Sequence, residues 1–460
     1  MKKILLLTAC LTVLIALPAQ QKDSVIAIGS ITLKGNKKTK PFIILRELTF
    51  KTGDTVHNWS YHKEQSRKQL INLFIFNEID IQLLDSGKVI VNVTERWYLW
   101  PAPVLQIADR NFNQWWLTRD PARLIYGVQL QWYNIRGRNE TMLLDFKTGY
   151  TQLFNFIYRV PYFNKKNTWG LQFGTYVSAN REVWYKTKED KVQFFKYDNL
   201  FLINRRGAEL VFTHRKKIFS YHLFYGGYRH INVKDTVITP AVNPDYLYAK
   251  GRTIQNEYYI GYQYTLDKRD FKGYPTRGYS FKAAIEGPYF ASKGIQSMPI
   301  LVKSTFAKYF KISNHFYASA GMTARYFKID SQPYSCTSAL GYGKDIIRGY
   351  ELNVIDGNHF VLGKAELKYR LIHKKYNFLK GIPNYETLPL SVFLTTFYDA
   401  GYVWNNRKQT TLYNKMPNSL QYGTGLGLNF ILFYDYCVRT EYSFNKYGQN
   451  RLFLNFITTF

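Results

Sequence analysis

The residues able to do chemistry in this chain are few, and they point to binding by charge and hydrogen bond instead of bond making. Gly423, Gly425 and Gly427 have the look of a glycine-rich phosphate cradle, but a spacing of two places all three on one face of a strand. Glycines so placed serve curvature or the close approach of another chain segment, not a nucleotide. No His-Glu-x-x-His, Gly-x-Ser-x-Gly or Cys-x-x-Cys occurs, and the eight His are scattered. Cys336 lies in a long connection and Cys437 beside a short turn, which argues against a disulfide between them. No enzyme activity, metal or cofactor is therefore expected. Two carboxylates stand out. Glu366 shares a polar face with Lys364 and Lys368, and Asp399 shares one with Ser391, Thr395 and Phe397.

Strands must carry both carboxylates, and from Trp100 onward the chain is patterned for strands. Segments of about ten residues alternate apolar and polar, as a period of two requires. Leu124, Tyr126, Val128, Leu130 and Trp132 alternate with Gly127, Gln129 and Gln131. Val361, Gly363, Ala365, Leu367 and Tyr369 oppose Lys364, Glu366, Lys368 and Arg370. A soluble sandwich would alternate too. Three features favour a transmembrane barrel: the segment length suits a tilted strand crossing a bilayer, aromatics gather at segment ends, and short connections alternate with long ones. Strands are expected to start near 104, 124, 140, 153, 168, 207, 219, 254, 278, 299, 315, 359, 388, 421, 434 and 451. That is sixteen antiparallel strands across residues 100–460, with 183–206 open to a strand extension. An even number closes without an edge.

The N-terminus sets the compartment. Lys2 and Lys3, an apolar run from Ile4 to Leu17 and the small residue Ala19 make residues 1–19 a secretory signal peptide. No later stretch is apolar for long enough to form a membrane-crossing helix. Residues 24–96 have mixed periodicity: a strand from Val25 to Leu33, helices from Pro41 to Leu48 and from Trp59 to Leu73, then strands from Glu78 to Leu84 and from Lys88 to Thr94 around Asp85-Ser86-Gly87. This reads as one small α+β module. The formal net charge of +30, or +28 without Lys2 and Lys3, would suit nucleic acid in the cytoplasm. On an exported chain it suits anionic lipid head groups, and no nucleic-acid partner is expected. The 18% aromatic content excludes a disordered chain and would supply the interfacial girdles of a barrel.

Several motifs resemble the BamA/TamA superfamily of outer-membrane assembly and translocation proteins. Residues 24–96 look like a single POTRA domain, through Gly35-Asn36, Gly53-Asp54, Leu73-Phe74-Ile75-Phe76-Asn77-Glu78-Ile79 and Val93-Thr94-Glu95-Arg96. In the barrel, Leu266-Asp267-Lys268-Arg269-Asp270 with Gly273-Tyr274-Pro275-Thr276-Arg277-Gly278 resembles the family's strand-turn-strand. Ile347-Arg348-Gly349-Tyr350 resembles its Arg-Gly loop motif, and Tyr398-Asp399-Ala400-Gly401-Tyr402-Val403-Trp404 its aromatic-Asp-x-Gly strand. The resemblance implies that the loop bearing Arg348, Gly349 and Tyr350 folds into the lumen, where the arginine meets Glu366 and Asp399. It also implies that Phe456 and Phe460 belong to a C-terminal assembly signal. The implied setting is a bacterial outer membrane with the POTRA domain in the periplasm. The implied partners are outer-membrane lipids, client outer-membrane or secreted polypeptides, and periplasmic chaperones or accessory subunits. A single POTRA domain departs from the several of the core assembly subunit, so the specific task stays open. The alternative is a passive outer-membrane pore or a surface protein without clients.

Overall fold

Alternation with a period of two becomes a wall with two chemically different faces. The computed structural model describes residues 25–460 apart from 293–294, 331, 378–386, 407–413, 433–435 and 457–460. The signal-peptide assignment and Phe460 thus lie outside the described residues.

The N-terminal module comprises β1 (Val25–Ala27), β2 (Ser30–Lys34), α1 (Pro41–Leu45), β3 (Thr55–His57), α2 (Trp59–Ile71), β4 (Phe76–Leu83) and β5 (Lys88–Glu95). The strand expected from Val25 to Leu33 is split, and its first part pairs with β3, which the sequence pattern did not announce. The rest forms a three-stranded sheet in the order β2-β5-β4, parallel on one side and antiparallel on the other. Proline at the first position opens α1, where its missing N–H is no loss. The side chain of Asn58 caps α2 by accepting from the N–H of Tyr61. Ile43, Ile44, Leu70, Ile75, Ile81, Val89 and Val91 close the core.

The larger part contains β6 (Leu99–Ile107), a short helix α3 (Phe112–Thr118), β7 (Leu124–Ile135), β8 (Glu140–Gly149), β9 (Thr151–Val160) and β10 (Trp169–Asn180). An outer hairpin of β11 (Glu182–Lys188) and β12 (Lys191–Lys196) occupies the region left open to a strand extension. There follow β13 (Ile203–His214), β14 (Ser220–Val233), β15 (Ile254–Asp267), β16 (Gly278–Ser292), the short β17 (Ile295–Ser297), β18 (Ile300–Lys311) and β19 (Phe316–Lys328). After a small pairing of β20 (Ser338–Leu340) with β21 (Ile355–Asp356) come β22 (His359–Asn377), β23 (Thr387–Trp404), β24 (Gln421–Leu432), β25 (Tyr436–Asn445) and β26 (Asn450–Asn455).

Sixteen of these strands form one antiparallel sheet, because β16 pairs directly with β18 and β17 only prolongs their hairpin. Along β24 the inward residues are buried and the outward ones exposed almost without exception. Outward positions carry Leu426, Leu428, Tyr442 and Phe444, while inward ones carry Asn429, Arg439, Glu441 and Ser443. An apolar exterior around a polar interior is the reverse of a soluble fold and matches a wall facing lipid.

The strand order is circular, with β26 next to β6. A residue-by-residue register runs unbroken from β6 round to β26, and β26 is hydrogen-bonded to β6 to close the barrel. The first strand begins at Leu99, five residues before the expected Val104, and contains Pro101 and Pro103. Both prolines are tolerated for a reason that the register shows. Tyr133 N–H donates to the Tyr98 carbonyl at 2.7 Å and Ala108 N–H to that of Arg123 at 2.8 Å. Even-numbered residues of β6 therefore bond to β7, and the missing proline donors fall on the opposite edge, facing β26.

The module is bolted to one end of the barrel. Tyr162, in the β9–β10 connection, is part of the module's own core cluster. Glu47 and Arg215 are both buried and pair through two N–H···O contacts, that from Nη2 to Oε2 measuring 2.7 Å. The hydroxyl of Tyr162 accepts from Arg215 at 2.7 Å. Burial opposes the charge on Arg215, yet Glu47 and Tyr162 carry its pKa well above the ordinary value. Removing one member strands the other in a dry interface, a loss of ~3–5 kcal/mol. Glu47→Ala or Arg215→Ala should therefore speed tryptic cleavage after Arg96 in detergent, while the barrel keeps its heat-resistant migration. Unchanged cleavage would show that the ion pair does not hold the module.

Candidate functional site

The 329–358 connection between β19 and β22 runs into the lumen instead of standing above it. Its apolar residues explain why: Ala339, Leu340, Ile347, Tyr350 and Ile355 pack with Phe360 and Leu362 of β22 and Val403 of β23. Ile347 enters this cluster, and the next residue, Arg348, points to the polar face of the wall.

Arg348 is 1% exposed and its guanidinium is fully engaged. Nε donates to Asp399 Oδ2 at 2.8 Å and Nη2 to Oδ1 at 2.6 Å, a planar fork on a planar carboxylate. Its backbone N–H also donates to Asp399 Oδ2, at 3.1 Å. Nη1 donates to Glu366 Oε1 at 3.4 Å and to Glu441 Oε1 at 3.5 Å. The guanidinium lies 3.8 Å from the centroid of the Phe397 ring, a cation–π contact. Burial would lower the arginine's pKa, but Asp399 first, then Glu366 and Glu441, carry it above the usual value. Behind these, Lys368 bonds Glu366 at 3.1 Å, and Arg439 lies 3.5 Å from Glu441.

Of the three glycines of β24, Gly423 makes room for this loop, and Gly425 and Gly427 make room for the wall side chains that receive its arginine. A Cβ on Gly423 would lie 1.9 Å from the Arg348 carbonyl oxygen, one on Gly425 would meet the Phe397 ring at 2.8 Å, and one on Gly427 would crowd Glu441 at 2.9 Å. They clear space for the loop and for the side chains lining its site, and are not a phosphate cradle. Gly401, the glycine of the Asp399 motif, similarly clears space for Ile347. Gly349 has a φ of +94°, which glycine alone adopts without strain, and its carbonyl accepts from Asn445 Nδ2 at 3.0 Å. The Tyr350 hydroxyl bonds Gln421 and the Tyr422 carbonyl, each at 3.2 Å.

The strand-turn-strand motif closes the same site from the module's end. Asp270 accepts from the Thr276 N–H at 2.9 Å, which folds the turn so that Tyr274 enters the lumen. There its hydroxyl accepts from Asn429 at 2.9 Å, and Lys368 sits 4.4 Å from its ring centroid. Lys368 in turn bonds Glu366, so this motif is linked to the arginine through those two side chains.

The structure brings Arg348, Gly349, Tyr350, Glu366 and Asp399 together. Phe456 does not join them; it is exposed on the outer face, where its ring lies 6.4 Å from that of Phe112. Glu441 was missed, although the inward alternation of Arg439, Glu441, Ser443 and Asn445 marks it as a third candidate carboxylate. Phe397 shared the face of Asp399 and Tyr274 lay in the strand-turn-strand motif, but nothing in the sequence marked either as a contact of the site, and Glu351 carried no signal at all. Glu351 is fully buried, and its Oε2 accepts from the Gly349 N–H at 2.9 Å. Burial, reinforced by Glu441, pushes its pKa up to about 8.

Residues 134–432 match the family described as the Omp85 superfamily domain, and residues 26–96 match the POTRA family described as surface antigen variable number repeat. No curated protein matches the chain. Among solved structures, BamA from Haemophilus ducreyi lacking POTRA domains 1–3 is similar with a TM-score of 0.51 at 14% identity, over 93% of this chain and 83% of that one. CdiB from Escherichia coli is similar with a TM-score of 0.50 at 11% identity, over 97% and 92%. These likenesses concern the fold.

Two outcomes follow from the geometry. Arg348→Ala leaves three carboxylates facing a vacated socket and should destabilise the barrel by ~3–5 kcal/mol, read as a lower urea midpoint in detergent. Arg348→Lys should recover only part of this, since an ammonium cannot fork; full recovery would refute the bidentate lock. Folded Glu351 holds a proton between its ordinary 4.5 and about 8, where the unfolded chain has lost it. Stability should therefore fall as pH rises through that window, and Glu351→Gln should flatten the slope between pH 5 and pH 8.

Proposed function

The chain belongs to the Omp85 superfamily, and from that premise we propose that it inserts or translocates other polypeptides at a bacterial outer membrane, with its POTRA domain in the periplasm. Membership of this family supports the general role, and the presence of one POTRA domain supports a single periplasmic adaptor. The observation that carries the reading is the junction between β26 and β6. An ordinary pore gains from sealing every wall strand to its neighbour, because an open edge in lipid leaves backbone groups unsatisfied. Here the first strand presents two prolines, which have no N–H to donate, to that very junction. A weakened seam is of use to a protein that must open laterally and template an incoming strand, and of none to a passive pore.

Clients would first meet the POTRA sheet, whose edge strands β2 and β4 suit strand addition. Main-chain hydrogen bonds then supply affinity without demanding a particular sequence. The work needs no covalent chemistry. Basic residues at the barrel rims suit lipid phosphates, and periplasmic chaperones or accessory subunits would deliver clients to the POTRA domain.

Depletion of this protein should lower a definable set of outer-membrane or exported proteins at least severalfold in the envelope proteome. A photo-crosslinker in the POTRA domain should also trap nascent chains. An unchanged proteome with no trapped chain would favour the passive pore.

A further inference from the structure

The outer face of the wall is notched at the rim remote from the POTRA domain. The Lys40 N–H donates to the Gly137 carbonyl in the β7–β8 turn at 2.8 Å, which marks the module's end of the barrel. Counting antiparallel strands from that turn places the end of β19 and the start of β22 at the opposite rim. There Ser304 of β18 and Ala324 of β19 are register partners on the outward face. On the rim side of them stand Val302 and Tyr326, and on the other side the exposed Phe306 and Met322. Two small side chains between bulky pairs leave a groove of about 420 Å³, which Val361 and Trp404 border from β22 and β23.

Two donors stand at the mouth of this groove. His359 stacks on Tyr326, with ring centroids 4.5 Å apart and planes inclined by 14°. The β19–β22 register ends at Arg325 and Phe360, and the next donor, the Phe327 N–H, goes to His359 Nδ1 at 3.1 Å. A nitrogen that accepts carries no proton, so the imidazole proton resides on Nε2. The stack holds the ring in place, and Nε2–H meets no acceptor among the described residues. Lys328 is the next outward position beyond Tyr326; it is exposed and pairs with no carboxylate among the described residues.

We propose that this groove is a specific site for a phosphomonoester-bearing lipid of the outer leaflet, with one acyl chain lying over Ser304 and Ala324 and the phosphate held by Lys328 and His359 Nε2–H. The groove is continuous with the lipid-facing wall, so an acyl chain is the occupant its surroundings supply. A notch left unfilled would forfeit the dispersion contacts of its lining, which a flexible chain recovers. Specificity comes from the mouth. A phosphomonoester carries about −1.5 to −2 charges near neutral pH and several acceptor oxygens, so it can take an ammonium and an imidazole N–H together. A phosphodiester offers one charge and is the weaker partner. This inference goes beyond the translocation reading and needs only the wall to face lipid.

The test titrates the full chain in detergent with diphosphoryl lipid A and reads the bound fraction by native mass spectrometry. Phosphatidylglycerol and lipid A stripped of both phosphates serve as the diester and neutral probes. Lipid A should bind saturably, and each of the other two about tenfold more weakly. Ala324→Trp fills the groove from the lipid side and should abolish saturable binding, while Lys328→Glu should weaken it by about tenfold. Val177→Trp, at an exposed outward position of β10 on another part of the wall, should leave binding unchanged. The proposal is overturned if Ala324→Trp or Lys328→Glu binds like the wild type, if phosphatidylglycerol binds as tightly as lipid A, or if Val177→Trp weakens binding as much as Ala324→Trp. Heat-resistant migration confirms that each variant is folded. The readout involves no client, so this site and the translocation reading can fail separately.

Discussion

One guanidinium organises the barrel interior. Arg348 is buried in a lumen where an unpaired cation would be far out of equilibrium, and it is held there because a carboxylate from β23, one from β22 and one from β25 converge on it. The fork on Asp399 fixes direction as well as charge, since a planar pair has one good orientation. Everything that brings a thirty-residue connection inward is subordinate to that contact: the apolar cluster around Ile347, the glycine socket on β24, the left-handed turn at Gly349, and Tyr274 closing the end nearest the POTRA domain.

The same interaction reaches the junction of the first and last strands of the wall. Glu441, one of the three carboxylates, also accepts from Asn455 of β26, and Glu351, two residues beyond Gly349, holds Asn111 through its carbonyl. Core and seam are thus joined by hydrogen bonds a few residues long. A strand edge left open in lipid is costly, and at this junction Pro101 and Pro103 withhold two donors from the pairing of β6 with β26.

Much of this was legible beforehand. Strand starts from Leu124 onward follow the alternation closely, because the two faces of a wall between lipid and a polar lumen impose a strict period of two on side-chain type. Glu366 and Asp399 were recoverable by parity, and Glu441 could have been. Pro101 and Pro103 concealed the start of the first strand, since a proline reads as a breaker until the direction of the absent N–H is known. Tyr274 and Phe397 were invisible as members of the site, because an aromatic on an inward face announces burial and not which cation it will cover.

By itself the sequence determined the fold class, the face of each strand and the residue types available to the lumen, all of which depend on local patterns of a few residues. Only the tertiary structure decided which carboxylates share Arg348, where the loop lies against Gly423, and that Asn113 bonds Leu454 of β26. Those are relations between segments tens to hundreds of residues apart, set by strand register and by the inward course of one loop. A side chain's face repeats with its own strand, whereas the direction of a backbone N–H acquires meaning only when the neighbouring strand is in place.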